Sequence, residues 1–205
     1  MSATTMTIDV SSTDSPAFAT ILAQAADTFR GGGTSPAAKE VVDALLQAEK
    51  AAKQQRLAYP FESLFGHWRL CFATGTRKVR RGGIVLGRGF YVPKLVPASI
   101  SFINQGQTQG EIANQVQLGA LLLKLTGPCE YLNKKNLLAF DFTQMELSLF
   151  ARAVYRGNMR GGKAQAENFY NRGIAKLPFF AFFWVTEDFI AARGRGGGLA
   201  LWIRT

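Results

Sequence analysis

A single histidine, two cysteines and scattered carboxylates are the residues of this sequence that could do covalent chemistry. His67 and Cys71 lie in a stretch of alternating apolar residues. On a strand they would share one face, about 13 Å apart, which is too far for a nucleophile and its base. Cys129 could approach either residue in the folded chain, and no spacing of the carboxylates marks a catalytic pair. We therefore predict no catalytic residues and no enzymatic activity.

Metal and phosphate sites are equally poorly represented. Cys71 and Cys129 form no CxxC pair, and one histidine leaves little for a metal site. The glycine-rich stretch from Gly82 to Gly89 lacks the Lys-Ser/Thr ending of a phosphate-binding loop. We predict neither a metal nor a cofactor.

The basic residues are the strongest signal in the composition. The chain has 24 Lys and Arg against 14 Asp and Glu, a net charge of +10. Residues 1–60 hold five basic and six acidic residues, so the excess belongs to the rest of the chain. Such an excess favours an anionic partner, either a phosphate backbone or an acidic lipid surface. The densest group, which we call the basic patch, consists of Arg77, Lys78, Arg80, Arg81 and Arg88.

Two helices are predicted before any strand. With 205 residues, of which 47% are hydrophobic, the chain suits a single folded domain with a short accessory segment. Residues 1–15 are polar and predict a flexible terminus without a signal or transit peptide. Ser-Pro pairs start helices at about 16–30 and 36–56. Residues 16–58 thus form a two-helix segment, which packs on its own domain or, as an alternative, recruits a protein partner.

Alternating apolar residues predict strands from residue 60 to 205. Trp68, Leu70 and Phe72 should share one face of the first strand. Similar alternation recurs at 100–102, 112–116, 138–142, 180–184 and 199–203, with Gly, Pro and Asn between. Short strands with no helical pattern between most of them favour an antiparallel barrel or sandwich. Residues 152–173 are polar and predict a connection that is either a short helix or a flexible loop.

The two ends of this region resemble the plastid-lipid-associated protein family, also called fibrillins. The segment LFGHWRLCFAT at 64–74 is similar to the opening strand of the family, with Gly66 two residues before Trp68. Residues 184–190, then Arg193-Gly194, Gly197 and the strand 199–204, resemble its closing hairpin. Residues 110–116 and 137–142 are similar to its central strands. The resemblance covers about residues 60–204.

This resemblance implies a lipocalin-like antiparallel β-barrel, a mainly β fold preceded here by two N-terminal α-helices. Gly66 and Trp68 would close one end of the barrel. A late arginine would stack on the Trp68 indole, with Arg193 as the first candidate and Arg204 as the second.

The resemblance also implies non-catalytic binding of an isoprenoid, carotenoid, quinone or lipid at photosynthetic membranes or lipid bodies. The basic patch would hold the protein peripherally on an anionic membrane. A cyanobacterial protein of the cytoplasm or the cytoplasmic thylakoid face is expected, or a plastid protein whose targeting segment has been removed. The predicted barrel lining consists of Trp68, Phe90, Tyr91, Phe102, Asn114, Phe142, Phe180, Phe182 and Trp184.

Two other functions stay open. A lipocalin-like bilin lyase could hold the propionates of a linear tetrapyrrole with Arg77, Arg80, Arg81 and Arg88. An RNA-binding small barrel is the third alternative, but the basic residues are not interleaved with aromatic residues and no RNP-like motif occurs. We therefore expect no specific nucleic-acid partner.

Overall fold

The structure, a computed structural model, is mainly β and describes residues 16–78, 84–159, 168–171, 173 and 176–205. Helices α1 and α2 span Ala17–Arg30 and Ala38–Gln55. The strands are β1 Gly66–Lys78, β2 Ile84–Tyr91, β3 Ala98–Asn104, β4 Gln109–Leu118, β5 Leu121–Leu132, β6 Leu137–Phe140, β7 Gln144–Leu149, β8 Arg152–Asn158, β9 Phe179–Val185, β10 Phe189–Gly194 and β11 Leu199–Arg204. The predicted flexible terminus at 1–15 lies outside the described residues.

Eight of the strands close into an antiparallel barrel. Their order is β4, β3, β1, β11, β10, β9, β6 and β5, and β5 pairs back with β4. Strand β2 pairs with β1 outside this ring, and β7 and β8 continue from β5 on the other side. The predicted mainly β fold, an antiparallel barrel preceded by two helices, is therefore confirmed.

The strand directions define two ends of the barrel. Gly66 at the start of β1 pairs with Phe102 of β3, and Trp68 pairs with Arg204 at the end of β11. We call this the closed end, because the short 3₁₀ helix Phe61–Leu64 and its buried side chains lie there. The open end is opposite, where β1 and β4 finish and β5 begins.

Both helices pack on the outer surface of the barrel wall. Their buried residues form one cluster with outward-facing residues of β1, β9, β10 and β11, including Cys71, Phe183, Phe189, Leu199, Leu201 and Ile203. Burial of this apolar face is the main reason these helices are stable. Helix α1 has no side-chain cap at its N-terminus, and α2 has one, the Glu40 carboxylate, which accepts a hydrogen bond from the Ala37 N–H at 2.8 Å.

Two β-bulges change which side chains face the helices. Cys71 is an extra residue in β1 opposite β11, and Phe183 is an extra residue in β9 opposite β10. Each extra residue shifts the alternation of its strand by one. Phe72 therefore lies outside the barrel with the helices, not on the face of Trp68 and Leu70 as predicted. Trp184 is displaced outward in the same way.

Strands β6 and β7 both pair with β5, on either side of Gly127 of β5, and a bend in the chain separates them. A Cβ on Gly127 would lie 1.9 Å from the Asp141 carbonyl oxygen, so only glycine fits beneath the bend between the two strands. Before the bend, β6 pairs with β9. After the bend, β7 pairs with β8. We call the β7–β8 hairpin the arm. The predicted polar connection at 152–173 was wrong in its first part, because Arg152–Asn158 forms strand β8.

Candidate functional site

The closed end is sealed by Trp68 and Arg204. The Trp68 indole is fully buried and its Nε1 donates a hydrogen bond to the Leu64 carbonyl oxygen at 2.7 Å. The guanidinium carbon of Arg204 lies 4.0 Å from the ring centre. Arg204 also donates to the carbonyl oxygens of Phe65 and Glu187. Gly66 has a φ of +117°, and a Cβ there would lie 2.9 Å from Arg204 Nη1. The backbone conformation therefore favours glycine here, and any larger residue would also displace the Arg204 guanidinium.

Arg193 does not contact Trp68, so the first candidate for the stacked arginine was wrong and the second was right. Arg193 faces outward because it alternates with Ala192, which lies in the barrel interior. Its Nε donates to Glu49 Oε1 of α2 at 2.8 Å, and its Nη2 donates to the other carboxylate oxygen. This pair joins the helices to β10.

Between the closed end and the middle of the barrel, the interior is filled with side chains. Trp68, Phe102 and Phe182 are buried, and the rings of Phe102 and Phe182 meet edge to face with centres 6.0 Å apart. These three predicted lining residues pack against one another and their neighbours. Two further predicted lining residues lie outside the barrel: Trp184 packs on Phe18 of α1, and Tyr91 packs on Phe72 and donates to the Pro36 carbonyl oxygen.

Apolar side chains continue from this core toward the open end along one face of β4, β5 and β7. Asn114 pairs with Leu125, which pairs with Met145. One step further out, Val116 pairs with Leu123, which pairs with Leu147. Paired residues share a face, and Ile112 on the same face of β4 is buried in the interior. All six residues of these two rows are half-buried. We call this surface the mouth face.

We take four aromatic rings in and against the interior cluster as the inner limit of the mouth face. Phe180 stacks on Phe140 with ring centres 5.0 Å apart, and it meets the Trp202 ring edge to face at 5.5 Å. Phe142 also packs on Phe140, with ring centres 5.2 Å apart. Phe142 and Phe180 are half-buried, whereas Phe140 and Trp202 are buried. A flat or elongated apolar molecule in the mouth would rest on these rings.

Two more predicted lining residues belong to this open end. Asn114 is the polar side chain in its row of the mouth face, between apolar neighbours on β5 and β7. Phe90 is 53% exposed and pairs with Ala73, which pairs in turn with Ala200 at the edge of the interior cluster. The structure therefore brings Asn114, Phe142 and Phe180 to the mouth and places Phe90 on the barrel-facing side of β2.

Sequence reasoning missed the aliphatic part of the mouth, namely Val116, Leu123, Leu125, Met145 and Leu147. The apolar run that begins at Gly119 was available as a signal, but it was considered only as a membrane span and was too short for one. Its alternate leucines line the mouth face.

No helix among the described residues is long and apolar enough to cross a membrane.

The opposite face of the same strands is polar. It lines a groove of 540 Å³ with Glu111, Lys124, Thr126, Gln144, Glu146, Arg156, Gly157 and Asn158. Met145 also borders this groove, although the strand register places it on the mouth face. Arg156 donates to Glu146 Oε2 at 2.7 Å, and this hydrogen bond lowers the pKa of the Glu146 carboxyl. An apolar ligand therefore fits the mouth face better than the outer groove.

The two thiols are separated by the barrel wall. Cys71 packs under the helices, and Cys129 points into the barrel interior. Burial raises the pKa of each thiol to about 12. Both are therefore protonated at neutral pH and are poor nucleophiles.

Part of the basic patch can be placed. Arg77 and Lys78 end β1, so their backbone lies at the open end, paired with Val85 and Ile84. Arg88 is exposed on β2. Arg80 and Arg81 lie outside the described residues.

Comparison with known proteins identifies no relative by sequence. The chain matches no protein-family model and no curated protein. Among solved structures, a redesigned β-barrel is 7% identical, with 70% of this chain and 93% of that chain covered and a TM-score of 0.33. A second redesigned β-barrel, mFAP1 bound to DFHBI, is 9% identical, with 70% and 96% covered and a TM-score of 0.31.

Proposed function

We propose that this protein binds an elongated hydrophobic molecule, without catalysis, in the mouth of its barrel. The ligand class is an isoprenoid, carotenoid, quinone or other lipid, and the place of action is an anionic membrane. The resemblance to fibrillins suggests this class, and the mouth face is the observation that carries the proposal. Its half-buried aliphatic rows end on an aromatic floor, and a bound molecule would cover both.

The chemistry of the mouth favours a ligand with few polar atoms. Each buried methylene of such a ligand contributes about 0.8 kcal/mol. Asn114 can donate or accept one hydrogen bond, so it suits a carbonyl or hydroxyl oxygen near one end of the molecule. A quinone ring on an isoprenoid chain has this combination of features.

A non-catalytic role is supported by the same structure. The buried, protonated thiols are unsuited to carry a bilin adduct or an acyl group.

Titration with decylubiquinone would test the proposal, with quenching of tryptophan fluorescence as the readout. Trp202 contacts Phe180 of the mouth floor, so a quinone on that floor should quench its emission. Met145→Glu places a charge on the mouth face and should weaken binding at least about tenfold. Gln144→Glu is the matched control, because Gln144 is the preceding, exposed residue on the outer face of β7.

Equal affinity of the two variants would overturn the proposal, since a ligand in the mouth must sense a charge at position 145. Thermal unfolding of both variants would show that the fold is retained. Mass spectrometry of an organic extract of the purified protein would then identify the natural ligand.

A further inference from the structure

The mouth face does not end at the barrel rim. In the next row outward, Leu118 pairs with Leu121 and Leu121 pairs with Leu149. These three side chains are 56%, 36% and 41% exposed. Phe150, in the turn of the arm, is 77% exposed. We call these four residues the apolar tip. They form a continuous path with the half-buried rows of the mouth.

The turn that contains Phe150 has a backbone conformation that its residue types disfavour. Phe150 and Ala151 have φ values of 48° and 60°, in the left-handed region that Asn and Gly occupy most readily. The Phe150 N–H donates to the Ala120 carbonyl oxygen at 3.0 Å, which ties the arm to the turn between β4 and β5. Stability alone favours neither an exposed aromatic residue nor this backbone conformation, so the turn is a candidate functional feature.

The described segments that continue from the apolar tip along β5 and β8 carry only positive charges. Residues 118–129 contain Lys124 and no acidic residue, and residues 149–159 contain Arg152 and Arg156 and no acidic residue. Glu146 pairs with Arg156 further down the arm. Arg77 and Lys78 end β1 at the same end of the barrel. The apolar side chains of the tip suit the acyl region of a bilayer, and the cations next to them suit its anionic headgroups.

We propose that the apolar tip inserts into an anionic lipid bilayer, with Arg152 at the level of the headgroups. This deepens the proposed function and rests on it in one respect, because the mouth would then receive its ligand directly from the bilayer. A second copy of the chain fits the tip less well, since two copies joined by their tips would bring like charges together. The tip also lies at the ends of two hairpins rather than on a flat face.

Co-sedimentation of the full chain with vesicles tests the proposal. One set contains phosphatidylglycerol and phosphatidylcholine in equal parts, and the other contains phosphatidylcholine alone. The double variant Phe150→Asn with Ala151→Gly removes the apolar side chain and suits the turn better, so it should unfold at a higher temperature than the native protein. We expect its partitioning onto the anionic vesicles to fall about tenfold.

Ile103→Thr is the matched control. Ile103 is 51% exposed at the end of β3 near the closed end, and its loss should leave vesicle binding unchanged. Equal binding of the double variant and the native protein would overturn the proposal. So would a concentration-dependent dimer in sedimentation velocity that the double variant abolishes, because the tip would then be a protein interface. Decylubiquinone titration without vesicles reports on the mouth separately, so loss of one result does not imply loss of the other.

Discussion

At the scale of single residues, Arg204 holds the closed end together. Its guanidinium stacks on Trp68 and donates to the carbonyl oxygens of Phe65 and Glu187, which belong to different loops. Lysine keeps the charge but cannot reproduce the planar set of donors. We expect Arg204→Lys to lower the free energy of unfolding by roughly 1–3 kcal/mol, measured in urea. Arg88→Lys, at an exposed arginine, should change nothing, and equal stability of both variants would contradict this role.

The residues that close the barrel could be predicted from the sequence, but the arginine that stacks on Trp68 could not. Gly66 and Trp68 could be predicted, because the resemblance that implies their closing role rests on a local pattern, a glycine two residues before a tryptophan at the start of a strand. Which late arginine reaches Trp68 depends on the register between β1 and β11, where Trp68 pairs with Arg204. That register forms across 136 residues of chain, and no local pattern reports it.

At the scale of elements, the attachment of α2 to the barrel depends on pH. The hydrogen bond from Arg193 holds the pKa of the Glu49 carboxyl below its usual 4.5. Because the folded-state pKa is depressed, this pair stabilises the fold above pH 4.5 and the contribution is lost as the pH falls through the folded-state pKa. The free energy of unfolding of Glu49→Gln should therefore fall less than that of the native protein between about pH 6 and pH 3.

The matched control for this prediction is Asp43→Asn. Asp43 lies on the same helix in an exposed pair with Lys39, so its loss should leave the pH dependence of stability as it is in the native protein. The same pH slope in Glu49→Gln and the native protein would show that the pair adds no net stability.

Helices and strands were predictable as elements, whereas their bulges were not. The Ser-Pro starts and the apolar alternation gave both helices and most of the strands near their observed positions. The extra residues Cys71 and Phe183 are apolar like their neighbours, so nothing local marks them. Each one moved the next aromatic residue, Phe72 or Trp184, from the interior to the helix side. Lining residues predicted by counting along a strand fail wherever such a bulge intervenes.

At the scale of the whole molecule, the two ends of the barrel have opposite properties. The closed end is sealed by hydrogen-bonded side chains, and the open end carries the mouth, the apolar tip and the end of the basic strand β1. The charge division along the sequence predicted an anionic partner for the barrel. It could not predict the mouth, because β6 and β7 diverge at a bend that requires a close backbone approach of Gly127 to Asp141.

The difference between the two ends of the barrel predicts that one variant can change the rate of ligand transfer from a membrane without changing ligand affinity. Vesicles loaded with a long-chain quinone, which has negligible solubility in water, are mixed with the protein, and the quenching of tryptophan fluorescence is followed over time. The variant Phe150→Asn with Ala151→Gly should slow quenching about tenfold but reach the native final level, because its mouth is intact. Met145→Glu should reduce the final level itself. If the double variant quenches at the native rate, the quinone does not need the apolar tip to reach the mouth, and the continuous path from Phe150 to Phe180 is not its route.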